Sequence, residues 1–346
     1  MQAVQFTDHG DTDVIVYDDF PDPEIGPEDV LVDIKAGALN HLDIWTRRGL
    51  PGINVEMPHI PGSDGAGEVV DVGDRVSRFE PGDHVALSAG LYCGECERCR
   101  HGEESMCDRF RIIGEHTRGV HAEQATIAAE NLVPVPDDVE WTTAAAAPLV
   151  FQTAWRMLIT RAAVDPGERV LVLGASGGVG HAAVQIADYA GAEVFATASS
   201  AEKLEYAREI GAGHAINYEE VAVADRIDEL TDGHGVDIVV DHIGQATYGD
   251  SLRSLRKGGR LVTCGATTGP NPDAELNRIF WEQLEIIGST MATPGEVDDV
   301  LSLVWDGTFE PQIREVLPMS ETIRAHEMIE NREGFGKVVV VPDSEY

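Results

Sequence analysis

A strand that runs into a glycine-rich turn and then into a helix restricts this chain more than any other feature. Val170-Leu171-Val172-Leu173 is an unbroken apolar run, the pattern of a strand buried on both faces. Gly174-Ala175-Ser176-Gly177-Gly178-Val179-Gly180 follows. Apolar residues at Val179, Ala183, Ile186, Ala187 and Ala190 then mark one face of a helix. The alternation continues. Val194-Phe195-Ala196 predicts a second strand, and Ser199-Ser200-Ala201-Glu202 reads as a capping box for a second helix that Gly211 ends. Ile238-Val239-Val240 and Arg260-Leu261-Val262-Thr263 predict further strands. Strand alternating with helix means an α/β fold with a parallel, doubly wound sheet.

Glycines in the first turn let the backbone approach a pyrophosphate, and the helix N-terminus offers free N–H groups and partial positive charge. Gly174, Gly177, Gly178, Val179 and Gly180 are thus expected to bind a dinucleotide. An acid at the end of the second strand would hold the ribose hydroxyls of NAD. The slot here reads Thr197-Ala198-Ser199-Ser200, and the one nearby acid, Glu193, lies at the other end of the strand. Ser199, Ser200 and Lys203 can instead hold a 2′-phosphate, which favours NADP(H) over NAD(H). The competing readings are a plain helix cap for Ser199 and a solvated helix residue for Lys203.

Before this region, residues 1 to about 155 read as mostly β. Val30, Val32 and Ile34 alternate with Leu31, Asp33 and Lys35. Pro51-Gly52, Pro61-Gly62, Gly65, Gly67, Gly73 and Pro81-Gly82 punctuate short strands, as in a partly open barrel. A lobe at about 90–110 carries Cys93, Cys96, Cys99 and Cys107, spaced C-x2-C-x2-C-x7-C. Four thiolates on one short loop can close a tetrahedron around Zn²⁺ and leave no open position for chemistry. One structural Zn²⁺ per chain is expected there; a disulfide or redox role is the alternative. Cys264 follows a strand and is expected to be a small core residue.

Charge bounds the partners. Sixty-one acids face 25 Lys plus Arg, a net charge of −36, and only four cations are lysines. The acids are dispersed, so they form neither a binding tail nor a disordered segment. Such a surface repels itself unless screened, and in roughly molar salt the screening length falls to about 3 Å. It is expected to be adapted to concentrated salt, and it excludes nucleic acid and anionic membranes as partners. No basic-then-apolar segment opens the chain and no long apolar run occurs, so a cytoplasmic location is expected.

Taken together, the glycine loop, the cysteine lobe, Pro61-Gly62-Ser63-Asp64-Gly65-Ala66-Gly67, Gly288-Ser289-Thr290 and Phe335-Gly336-Lys337 resemble the medium-chain dehydrogenase/reductase superfamily. The resemblance spans nearly the whole chain. It implies a GroES-like β-barrel catalytic domain (1–155 and 291–346) and a Rossmann cofactor domain (156–290). It also implies a small-molecule substrate and a homodimer or homotetramer paired through an edge strand near Ile286-Ile287-Gly288-Ser289.

Zinc alcohol dehydrogenases of the superfamily carry a second, catalytic zinc. Its usual ligand positions correspond here to Asn40, Gly62-Ser63-Asp64 and Leu149, and the proton-relay position to Leu42. These residues do not make the open three-ligand site that such chemistry needs. Asn40-His41-Leu42-Asp43, Arg47-Arg48-Gly49, and Ala144-Ala145-Ala146-Ala147-Pro148 leading to Thr153-Ala154-Trp155 instead resemble the quinone oxidoreductase and enoyl reductase branches. That resemblance implies hydride transfer between NADP(H) and an enone, quinone or enoyl thioester, with no catalytic metal. Asn40 would be the donor to the enolate and Thr153 would lie near the nicotinamide. His41 would contact the cofactor phosphates, and Lys337 would lie near the nicotinamide end. Two other readings stand: an alcohol dehydrogenase with a metal site rebuilt from His41, Asp43, His59 and Asp64, and a non-catalytic cofactor-binding protein.

Overall fold

The structure is a computed structural model that describes residues 1–346. It divides into two compact units, Met1–Leu149 with Thr293–Tyr346, and Val150–Ala292. The sequence places the first junction at 155. The structure moves it to 149 because the helix Pro148–Trp155 runs on through a wide-turn segment, Arg156–Arg161. Thr153 therefore belongs to the second unit.

In the second unit six parallel strands lie in the order His214–Asn217, Glu193–Ala198, Arg169–Val172, Val236–Val240, Leu255–Thr263, Glu285–Gly288. The strand that comes first in this unit, Arg169–Val172, lies inside the sheet, so chain order reverses beside it, and ligands bind at such a switch point in open α/β sheets. The core follows from the apolar runs: Leu171, Phe195, Val239 and Leu261 are fully buried. The helix Gly178–Tyr189 buries Ala183, Ile186 and Ala187 of the predicted face, and also His181, Ala182 and Val184, while Val179 and Ala190 are half-buried. The next helix, Ala201–Glu209, starts one residue later than the Ser199 capping box implied. Ser200 is its N-cap and accepts from the Lys203 backbone N–H at 3.4 Å, while Gly211 (φ +117°) follows its end.

The first unit is built on a seven-stranded sheet. Its central strand, Asp29–Ala38, pairs antiparallel with Gly65–Val72, Gln124–Ala128 and Lys337–Val341. Val30, Val32 and Ile34 point into the core as the alternation requires. The last strand, Lys337–Val341, is buried throughout, with Val339 opposite Ala38. No helix is long and apolar enough to cross a membrane.

One buried cation holds the helix that opens the site. His41–Arg48 starts just after Asn40, and Arg47, near its end, is fully buried. The Arg47 guanidinium donates to the Gly10 carbonyl (3.2 Å), to His326 Nδ1 (3.1 Å) and to the Glu330 carboxylate. Both partner side chains lie on the helix Thr322–Glu330. Burial and the Arg47 charge push the His326 imidazole down to about 3, so it is neutral and accepts. Removing one partner of such a set costs roughly 3–5 kcal/mol. Arg47→Ala should lower unfolding stability by about that amount in urea titration; a change below about 1 kcal/mol would show that the helix is held by packing alone.

Candidate active site and cysteine lobe

Three strand ends of the first unit bring the site together. Asn40 follows Asp29–Ala38, Asp64 precedes Gly65–Val72, and Lys337 opens Lys337–Val341. Lys337 Nζ donates to Asn40 Oδ1 at 2.6 Å and to Asp64 Oδ2 at 2.9 Å. Asn40 Nδ2 donates to the same Asp64 oxygen at 2.9 Å and to the Ala38 carbonyl at 3.4 Å. Asp64 Oδ1 accepts from the Leu149 backbone N–H at 2.9 Å. Lys337 is 3 % exposed and Asp64 0 %. Burial pushes the Asp64 carboxyl up, and the Lys337 ammonium and Asn40 amide pull it back.

A second carboxylate fixes the loop around this centre. Asp43 accepts from the Asn40 N–H at 2.7 Å and from the Gly62 N–H at 3.0 Å. Burial pushes it up to about 6. Gly62 has φ +109°, and a Cβ there would meet the His121 ring at 2.5 Å. His121 is fully buried, neither ring nitrogen has a partner, and burial pushes it down to about 4. Ser63 Oγ donates to the Ile113 carbonyl at 2.7 Å. Glu115 lies close by, and burial, then the Asp43 charge, pushes its carboxyl up to about 7.

The residues named from sequence separate here. Asn40, Asp64 and Leu149 converge as the resemblance implies. The Asn40 carboxamide is not a free donor, however, because Asp64 and Ala38 take its N–H groups and Lys337 takes its oxygen. Lys337, expected near the nicotinamide end of the cofactor, supplies the ammonium of this cluster. His41 is exposed in the first turn of its helix, its ring 6.2 Å from that of Trp45. Thr153 is buried in the second unit. The proposed set His41, Asp43, His59 and Asp64 does not gather into a ligand cluster. His59 Nε2 pairs with the Gly114 carbonyl at 3.0 Å, and the oxygens of Asp43 and Asp64 are held as above. A catalytic metal does not fit these residues. Sequence reasoning missed His121, which carries no motif; its one signal is the pair of glycines, Gly37 and Gly62, needed to seat its ring.

The cysteine lobe fits a metal well. The Sγ atoms of Cys93, Cys96, Cys99 and Cys107 all lie within 4.8 Å of one another. Cys93–Cys99 is 3.9 Å and Cys96–Cys99 3.5 Å, near the roughly 3.8 Å edge of a tetrahedron with Zn–S bonds of about 2.3 Å. Backbone N–H groups of Cys96 and Arg109 point at Cys93 and Cys107 sulfur, both at 3.3 Å, an arrangement that stabilises thiolates.

In the second unit the glycine loop has the form a pyrophosphate needs. Gly174 adopts φ +61° and donates to Thr197 Oγ1 at 3.1 Å. Gly177 caps the helix Gly178–Tyr189, whose first N–H groups have no acceptor within the helix. A Cβ on Gly180 would lie 2.1 Å from the Gly174 carbonyl oxygen, so only glycine lets the helix close on the loop. Asp241, at the end of Val236–Val240, accepts from the Ile243 and Gly244 N–H groups and from the Thr247 and Ser251 hydroxyls, and so shapes the neighbouring loop. His242 lies against this loop, its Nε2 3.5 Å from where a Gly174 Cβ would be.

Comparison with known proteins agrees with both units. Residues 26–137 match the alcohol dehydrogenase GroES-like domain and residues 178–306 the zinc-binding dehydrogenase family. A crotonyl-CoA reductase of Streptomyces avermitilis is 34 % identical over 94 % of this chain and 81 % of its own length. The chain belongs to the medium-chain dehydrogenase/reductase superfamily. A quinone oxidoreductase of Pseudomonas aeruginosa is 32 % identical over 99 % of both chains. The solved structure of an NAD-dependent alcohol dehydrogenase matches with a TM-score of 0.95 and 41 % identity, again over 99 % of both. The protein is an oxidoreductase of the zinc-type alcohol dehydrogenase and quinone reductase kind.

Gly180→Ala should weaken NADPH binding roughly ten- to hundredfold, since the loop must shift or the helix must strain. Fluorescence titration measures this, and an unchanged Kd would remove the loop from the cofactor site.

Proposed function

We propose that this chain transfers hydride from NADPH to a carbon–carbon double bond conjugated to a carbonyl, with an enoyl thioester as the preferred acceptor. The observation that carries the reading is the Asn40–Lys337–Asp64 cluster. It includes the residues that correspond to metal-ligand positions, Asn40 and Asp64, and binds them to the Lys337 ammonium, the donor it can offer a substrate. The crotonyl-CoA reductase and quinone oxidoreductase relatives point the same way. The rival is an alcohol dehydrogenase, favoured by the identity to the solved alcohol dehydrogenase.

Each group has a part. The four-cysteine lobe holds a structural Zn²⁺ that orders residues around 90–110. The glycine loop holds the pyrophosphate. For the 2′-phosphate, Ser199 and Lys203 follow a strand with no acid at its end; Glu193, at the other end, is tied to Arg169 and His214. Ser200 caps a helix with its oxygen, and its hydroxyl hydrogen remains available to a phosphate. Lys203→Ala should raise the Kd for NADPH roughly ten- to hundredfold and leave that for NADH unchanged; equal effects on both cofactors would refute the assignment.

The setting follows from surface and edges. The protein works in the cytoplasm, in concentrated salt, where the −36 charge is screened. It forms a dimer or tetramer through the edge strand Glu285–Gly288. Ile286 is exposed there, as are Leu276, Phe280 and Trp281 on the helix Leu276–Trp281. Sizing in molar KCl tests this, and a monomer would sink it.

The deciding experiment is an NADPH oxidation assay on crotonyl-CoA, a simple enone, a quinone and, in reverse, a primary alcohol with NADP⁺. It is run across a KCl series on protein whose zinc has been counted. One zinc per chain, reduction of the conjugated acceptors and activity rising towards molar salt are expected. Two zincs with alcohol oxidation alone would install the rival. A thermal midpoint that does not rise with KCl would refute the salt adaptation.

A further inference from the structure

Lys337 is one of four lysines in a chain of net charge −36, yet it is buried. Burying an ammonium is unfavourable even when paired, and an apolar residue of like volume would often serve the fold as well or better. The geometry around it is that of a held donor. Asp64 is fixed from one side by the Leu149 N–H, and Asn40 is fixed from the other by Asp43. Each offers one oxygen to Nζ, at 2.9 and 2.6 Å. An ammonium has three N–H donors. The chain accepts two, and the third has no protein acceptor. His121, the imidazole electrostatically coupled to both Asp64 and Lys337, is neutral and adds no competing positive charge.

We propose that Lys337 donates this third N–H to the carbonyl oxygen of the substrate and stabilises the negative charge that hydride transfer places there. Asp64 and Asn40 act as positioning residues. The proposal rests on the reading of the protein as a reductase of conjugated double bonds. The bound dihydronicotinamide supplies a hydride, two electrons with one proton. The β-carbon takes it, the C=C pair moves to the bond between the α-carbon and the carbonyl carbon, and the carbonyl pair moves to oxygen. The resulting enolate oxygen accepts from Lys337 Nζ. The α-carbon then takes a proton from solvent water, the carbonyl re-forms, and Lys337 is left unchanged. The substrate gains two electrons and two hydrogens overall, and the cofactor loses two electrons.

The test removes the ammonium without stranding its partner. Lys337→Ala combined with Asp64→Asn leaves no lone buried charge and opens space beside Asn40. Its kcat on the best acceptor found for the unaltered protein should fall roughly 10²–10³-fold. Its Kd for NADPH should stay within about twofold of the parent. Methylammonium chloride should restore kcat saturably at constant ionic strength, which a packing role would not allow. Three outcomes overturn the proposal: kcat retained within about threefold, a raised Kd for NADPH with kcat intact at saturation, or a folded variant that the amine does not rescue. If the double variant does not fold, Lys337→Arg and Lys337→Met decide. Arg should keep activity that Met loses at similar thermal midpoints, and equal activities would overturn the proposal. An unaltered protein inactive on every conjugated acceptor would instead refute the functional reading itself.

Discussion

A buried ammonium shared between a carboxylate and a carboxamide ties the first unit together. Lys337 begins the last strand, Asn40 lies two residues past the central one, and Asp64 lies just before its antiparallel neighbour. Backbone pairing aligns these strands, with Val339 opposite Ala38 and Gly37 opposite Gly65. The pairing alone would allow any side chains at the strand ends. The charge cluster makes the choice specific, because each member desolvates another. Asp64 is tolerated as a fully buried carboxylate since Lys337, Asn40 and the Leu149 N–H all face it. The loop outside is fixed in turn by Asp43, which bonds one backbone N–H on each side of the site.

The two units present different kinds of group at their strand ends. The parallel sheet ends in a helix N-terminus and a glycine turn, which present backbone N–H groups and suit an anion. The β unit ends its strands in side chains, which suit a charge that appears only during reaction. The cysteine lobe takes part in neither. Its four sulfurs lie within 4.8 Å of one another, and backbone N–H groups point at two of them.

The glycine loop, the helix after it and the alternation of strand with helix were legible in the sequence, because period and turn residues are local properties. So was the cysteine tetrad, whose spacing alone brings four sulfurs within reach. The roles of single polar residues were less legible. Asn40 read as a free donor, but its hydrogens are committed to Asp64 and Ala38. Lys337 read as lying near the nicotinamide end of the cofactor, and its bonds to Asn40 and Asp64, some 270 to 300 positions away in the chain, left no local signal. Ser200 rather than Ser199 caps its helix, a one-residue shift that local patterns do not fix.

What the sequence determined by itself is the alternation of strand and helix, the cysteine tetrad and the glycine loop. Each rests on interactions within about thirty residues, where spacing and propensity act directly. Only the tertiary structure decided that His121 is buried without a partner, that the domain boundary falls at 149, and that Lys337 is buried against Asn40 and Asp64. Those outcomes depend on which distant side chains share a low-dielectric pocket. Charge burial is settled there by three-dimensional neighbours, which no local pattern encodes.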